Sequence, residues 1–158
     1  MRSRRDRISQ VLEGNLVELG GLFGAAFLAA TLLPAQSEAL LAAMVIGAIA
    51  SVPVLLAVAA IGNILGSCVN WWLGLQVDRF RGRRWFPVSE NALAKARETY
   101  SRWGWPSLLL SWVPVIGDPI TLAAGILKEP FWRFLVIVSI AKVGRYTAVI
   151  ALAERFIN

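Results

Sequence analysis

Two carboxylates stand where apolar residues belong. Glu38 lies in Leu32-Leu33-Pro34-Ala35-Gln36-Ser37-Glu38-Ala39-Leu40-Leu41, and Asp118 in Trp112-Val113-Pro114-Val115-Ile116-Gly117-Asp118-Pro119-Ile120-Thr121. Each follows a proline by four residues, one in each half of the chain. A charge in an apolar segment is expensive and marks a functional site by default. Carboxylates so placed suit proton uptake and release. They equally suit a structural duty, because an acid in the first turn of a resumed helix satisfies orphan amides and the helix dipole. In a third arrangement Glu38 or Asp118 pairs with Lys142 or Arg145. These two cations of the last apolar segment are three residues apart and share a helix face.

Prolines 34, 114 and 119 break helices at these places, which leaves backbone amides and carbonyls unpaired at membrane depth. Such a break is tolerated only where protein or a polar cavity encloses it. Paired broken segments are also how many carriers build a binding site. Polar residues available to line it are Ser37, Asn63, Asn70 and Ser111. The chain has no histidine and one cysteine, Cys68. A Ser-His triad, histidine metal ligation and an intramolecular disulfide are therefore excluded. Nothing has the spacing of a metal, cofactor or nucleophile motif, so the expectation is a protein that is not an enzyme and uses neither metal nor cofactor.

The elements that must position these residues are membrane helices. Of 158 residues 57% are hydrophobic and 16% charged, too apolar a balance for a soluble domain of this size. Between Leu19 and Val77 the only acidic or basic side chain is Glu38. The net charge of +6 gathers beside the apolar segments, at Arg2, Arg4, Arg5 and Arg7 and again at Arg79, Arg81, Arg83 and Arg84. That is the distribution of cytoplasmic flanks facing anionic lipid, and no nucleic-acid motif accompanies it. Asp6 and Glu13 dilute the basic start, and apolar character resumes after Glu38, which reads against a cleaved signal sequence.

The expected architecture is all-α: a polytopic integral membrane protein with two broken or re-entrant helical segments arranged as an internal repeat. Residues 1–15 form a basic cytoplasmic N-terminus. Residues 16–77 form the first membrane repeat, with apolar segment 16–33, a helix over 37–50 and a long helix over 54–77. Residues 78–105 form a basic amphipathic linker, with an interfacial helix over 92–103. Residues 106–158 form the second repeat, with apolar segment 107–113, a helix over 120–127, a turn at Lys128-Glu129-Pro130 and a last helix over 131–153. Gly20, Gly21 and Gly24, and then Gly62, Gly66 and Gly74, give small faces for close helix contact, within the chain or between copies in a homo-oligomer. Most tryptophans sit near segment ends, as in an interfacial belt. Positive-inside counting asks for an even number of crossings within 16–77, an inverted repeat for an odd number. Re-entrant segments reconcile the two.

These motifs resemble the DedA family (VTT domain, SNARE-associated Golgi protein group), in particular its short YqaA-like bacterial branch. The resemblance is carried by Leu33-Pro34-x-x-x-Glu38, by Gly62-Asn63-x-x-Gly66-x-x-x-Asn70-x-x-x-Gly74, and by Trp103-Gly104 followed by Ser111-Trp112-x-Pro114-x-x-Gly117-Asp118. Ala124-Gly125 and Lys142-x-x-Arg145-Tyr146 complete it. It implies a multi-pass protein of the bacterial inner (cytoplasmic) membrane with two opposed re-entrant segments. It also implies translocation of a lipid such as polyprenyl phosphate or a phospholipid, with proton coupling. Longer members carry an acid where this chain has Ser67, and arginines where it has Ser111 and Gly117. Lys142 and Arg145 are expected to supply the missing cations.

The expected function is membrane transport: a flippase-like carrier that moves a lipid or lipid head group between leaflets with protons as partner. Glu38 and Asp118 form the expected proton and substrate site. A proton-coupled ion or small-solute transporter, and a non-transporting membrane scaffold, are the alternatives.

Overall fold

A computed structural model describes residues 4–30, 36–76, 90–113 and 116–155. Pro34, Pro114 and the arginine-rich stretch 79–84 lie outside the described residues. Every described element is helical: α1 (Arg4–Ala29), α2 (Gln36–Ile46), α3 (Val52–Leu75), α4 (Glu90–Trp103), a 3-10 segment (Trp105–Trp112), α5 (Gly117–Ile126) and α6 (Phe131–Glu154). Among the described residues two helices are long and apolar enough to cross a membrane, α3 and α6, at 24 residues each.

Local chemistry explains most boundaries. At the start of α3 the Ser51 carbonyl accepts from the amides of Val54 and Leu55 at 3.0 and 3.1 Å. Pro53 sits in the first turn, where its missing N–H leaves no bond unmade. α1 begins at Arg4, well before the change from polar to apolar sequence near residue 16. Nothing in Arg4–Glu13 breaks a helix, and Arg, Gln, Leu and Glu are good helix formers. The polarity change thus falls within one helix. α5 begins at Gly117 and contains Pro119 in its first turn, so Pro119 is accommodated rather than acting as the breaker expected from the sequence. The 3-10 segment follows Gly104, whose φ of 63° favours a residue without Cβ.

The short helices α2 and α5 end alike. The Ile49 amide bonds the Met44 carbonyl at 3.1 Å, and the Ala48 amide bonds Val45 at 3.1 Å. The Glu129 amide bonds Ala124 at 2.9 Å, and the Lys128 amide bonds Gly125 at 3.0 Å. Both are Schellman motifs, which use the last carbonyls of the helix. Both place a non-glycine residue in the left-handed region, Ala48 at φ 48° and Lys128 at φ 56°.

α3 is the axis of the fold. A Cβ on Gly62 would lie 2.7 Å from the Phe23 carbonyl oxygen, and one on Gly66 2.6 Å from that of Phe27, so α1 lies directly on the α3 backbone. At the other end of α3, a Cβ on Gly74 would run into the Leu122 carbonyl oxygen of α5. The glycine face of α3 is thus used within the chain. Gly20, Gly21 and Gly24 of α1 meet nothing within 4 Å.

Two apolar clusters result. One joins α1, α2, α3 and the end of α6 through Leu22, Leu41, Leu55, Ala59, Tyr146 and Ile150. The other joins α4, the 3-10 segment, α5 and the start of α6 through Tyr100, Leu108, Ile120, Ala123, Phe134 and Val138. α3 and α6 pass through both in opposite directions, and their buried polar residues fall between the clusters.

Glu129 braces the second cluster. Its carboxylate accepts from the Tyr100 hydroxyl of α4 and pairs with Arg133 of α6 at 3.3 Å, while its carbonyl accepts from the Trp71 indole of α3 at 3.1 Å. Burial, and then the Glu129 carboxylate, raise the Tyr100 pKa, so the hydroxyl keeps its proton and remains a donor across the physiological range.

The left-handed residues give a direct test. Ala48→Gly and Lys128→Gly should each stabilise the protein by about 1 kcal/mol, the cost of left-handed backbone for a residue with Cβ less the entropy of glycine. Denaturant unfolding in mixed micelles measures this.

Candidate functional site

The first turn of α2 and the first turn of α5 each deliver one acid to α6. Glu38 forms an ion pair with Arg145. Asp118 Oδ1 lies 3.5 Å from Lys142 Nζ. The two cations occupy one face of α6, and Lys142 lies close to the midpoint of the helix, about 16 Å from its start at 1.5 Å per residue. Exposure divides by sign. The side chains of Lys142 and Arg145 are 2% and 11% exposed, those of Asp118 and Glu38 19% and 25%. The cations form the floor of the site and the acids its open edge.

Pairing of all four groups leaves the site with no net formal charge. Taking each ion out of water costs several kcal/mol, which its partner offsets only while it stays ionised and close. A proton on either acid would therefore release a cation from its partner, and so change the site chemically.

Polar contacts extend the cluster. Ser37 Oγ and Tyr146 Oη are 3.2 Å apart, linking α2 to α6 beside the Glu38–Arg145 pair. Thr121 Oγ donates to the Asp118 carbonyl at 2.8 Å. Asn70 Nδ2 reaches Thr121 Oγ at 3.3 Å and donates to the Ala30 carbonyl at 2.7 Å. Asn63 Nδ2 donates to the Ala26 carbonyl at 3.1 Å, and the Asn63 carbonyl accepts from Ser67 Oγ at 3.1 Å. The Ala26 carbonyl keeps its helical partner, the Ala30 amide at 3.3 Å, and takes Asn63 as a second donor; the Ala30 carbonyl, whose i+4 residue Pro34 has no N–H, takes Asn70. α3 thus supplies the donor that the Ala30 carbonyl needs, as burial requires.

The second break has a different feature. Ser111 is fully buried, and its hydroxyl has no partner among the described residues. A Cβ on Gly117 would run into the Ser111 carbonyl oxygen. An arginine at 117 therefore has no room, and the adjacent Asp118 pairs with Lys142.

Glu38, Asp118, Lys142, Arg145 and Ser37 therefore converge on α6. Asn63 and Asn70 point their amides at α1, with Asn70 also touching Thr121. Tyr146, quoted above only within the motif that carries the resemblance, and Thr121 were not among the site residues expected from sequence. Helical spacing could have found both, since Tyr146 is four residues after Lys142 and Thr121 three after Asp118.

Asn70→Leu should destabilise the protein by about 1–2 kcal/mol, because it leaves the Ala30 carbonyl buried without a donor. Unfolding in mixed micelles measures it.

The VTT domain model matches residues 33–154, the span from the first break to the end of α6. The chain is 36% identical over 137 residues to the inner membrane protein YqaA of Escherichia coli K12 and to that of Shigella flexneri, covering 85% of this chain and 90% of each relative. It is 32% identical over 143 residues to an uncharacterized protein of Haemophilus influenzae, covering 86% and 87%. No solved structure matches. With two helices fit to span a bilayer and a domain match over most of its length, the chain is a membrane protein and belongs to the VTT-domain (DedA) family.

Proposed function

We propose that this protein is an inner-membrane carrier that moves a lipid, or the head group of one, between leaflets in exchange with protons. The observation that carries the reading is the convergence of two acids, from two separate short helices, on two cations at the middle of one spanning helix. Ionised groups at that depth are retained when they act on something that crosses. The relatives named inner membrane proteins support the location.

In this reading α2 and α5 are re-entrant segments of an inverted repeat. Their likeness supports it: each is short and apolar, carries an acid in its first turn and ends in a Schellman motif. Protons reach the more exposed acids. A protonated Asp118 no longer holds Lys142, and a protonated Glu38 no longer holds Arg145. The released cations then face an anionic head group, such as the phosphate of a polyprenyl phosphate or phospholipid. Lys142 serves in place of an arginine that Gly117 excludes.

Vesicles reconstituted with the purified protein and a fluorescent phospholipid test this. The wild type should move the lipid between leaflets, with Glu38→Gln and Asp118→Asn each slowing it about tenfold or more. Unchanged rates in both variants would overturn the role given to the acids. Proton-driven uptake of a solute without lipid movement would favour the solute-carrier alternative.

A further inference from the structure

Away from the polar cluster, a crevice of about 440 Å³ opens between the 3-10 segment and the first turns of α6. That volume lies within the range of small-ligand sites, roughly 300–1,000 Å³. Trp105 forms one wall. The floor is two pairs on α6 at i,i+4 spacing, Trp132 with Val136 and Arg133 with Ile137. In each pair the residue nearer the helix start is interfacial in character, indole or guanidinium, and the residue about 6 Å deeper is aliphatic. The crevice therefore runs from a cationic, aromatic mouth to a purely apolar interior.

This is the profile of a phospholipid, polar at one end and apolar along its length. Trp132, Val136 and Trp105 are 75%, 57% and 50% exposed. Arg133 fixes the sign of the head group. Its side chain is 54% exposed, and its contact with Glu129 is through one nitrogen. A guanidinium has five N–H donors in a fork that matches phosphate oxygens. The chain's net charge of +6 adds to the attraction for an anionic lipid.

We propose that this crevice holds a resident anionic phospholipid, with its phosphate on Arg133 and an acyl chain over Val136 and Ile137. It is a structural lipid at the membrane interface, apart from anything carried at the central site, and the proposal does not depend on transport.

The test uses the full chain purified in mild detergent and titrated with phosphatidylglycerol or phosphatidylcholine, with bound lipid counted by native mass spectrometry. One phosphatidylglycerol should be held about tenfold more tightly than phosphatidylcholine, whose phosphate is the same but whose choline cation offsets its attraction for Arg133. Arg133→Gln should abolish that preference. Val136→Trp, a surface change that fills the crevice and leaves the Arg133–Glu129 pair intact, should abolish retention of the lipid. Arg102→Gln, outside the crevice, should leave both unchanged. Equal retention of the two lipids, or retention unaffected by Val136→Trp, would overturn the proposal. So would a protein dimer that Val136→Trp dissociates with no lipid bound.

Discussion

Two cations at the middle of α6 must be neutralised inside a membrane, and the rest of the fold follows from that. Neither Lys142 nor Arg145 can reach water by extending along the helix as a residue near its end would. Their partners come from different segments, Glu38 from α2 and Asp118 from α5. Each acid stands in a first turn, so each helix must begin at the depth of the site. A helix that begins there requires a chain that has been interrupted there.

Interruption creates the second requirement, donors for the carbonyls it strands. α3 meets it on the same face that brings it close. Gly62 and Gly66 let α1 lie on the α3 backbone, Asn63 and Asn70 donate to Ala26 and Ala30, and Gly74 admits α5. Close approach and hydrogen-bond supply are one device. Without the glycines the asparagines would not reach, and without Asn70 the Ala30 carbonyl would lose its donor.

Much of this was legible in the sequence. An acid four residues after a proline in an apolar run is visible without coordinates, as are the repeated small positions of α3 and the cations on one face of α6. The structure added what depends on tertiary register. Sequence spacing could not say which acid meets which cation. At the ends of α2 and α5 the left-handed position falls to Ala48 and Lys128 and not to the glycines near them, Gly47 and Gly125. The start of α1 was hidden because polarity changed without a helix breaker. Pro119 looked like a breaker, yet a first turn has no bond for it to remove. The Glu129 brace joins α3, α4 and α6 across long sequence separations, which no local pattern reports.

The central claim is that the acids of the short helices and the cations of α6 are energetically one unit. A double-mutant cycle on Asp118→Asn and Lys142→Met, read by unfolding in mixed micelles, measures it most directly. Each single change should destabilise by about 3 kcal/mol or more by leaving a buried charge alone, and the double change should recover most of that loss. Losses that simply add would show that Asp118 and Lys142 are not coupled, and would contradict the account.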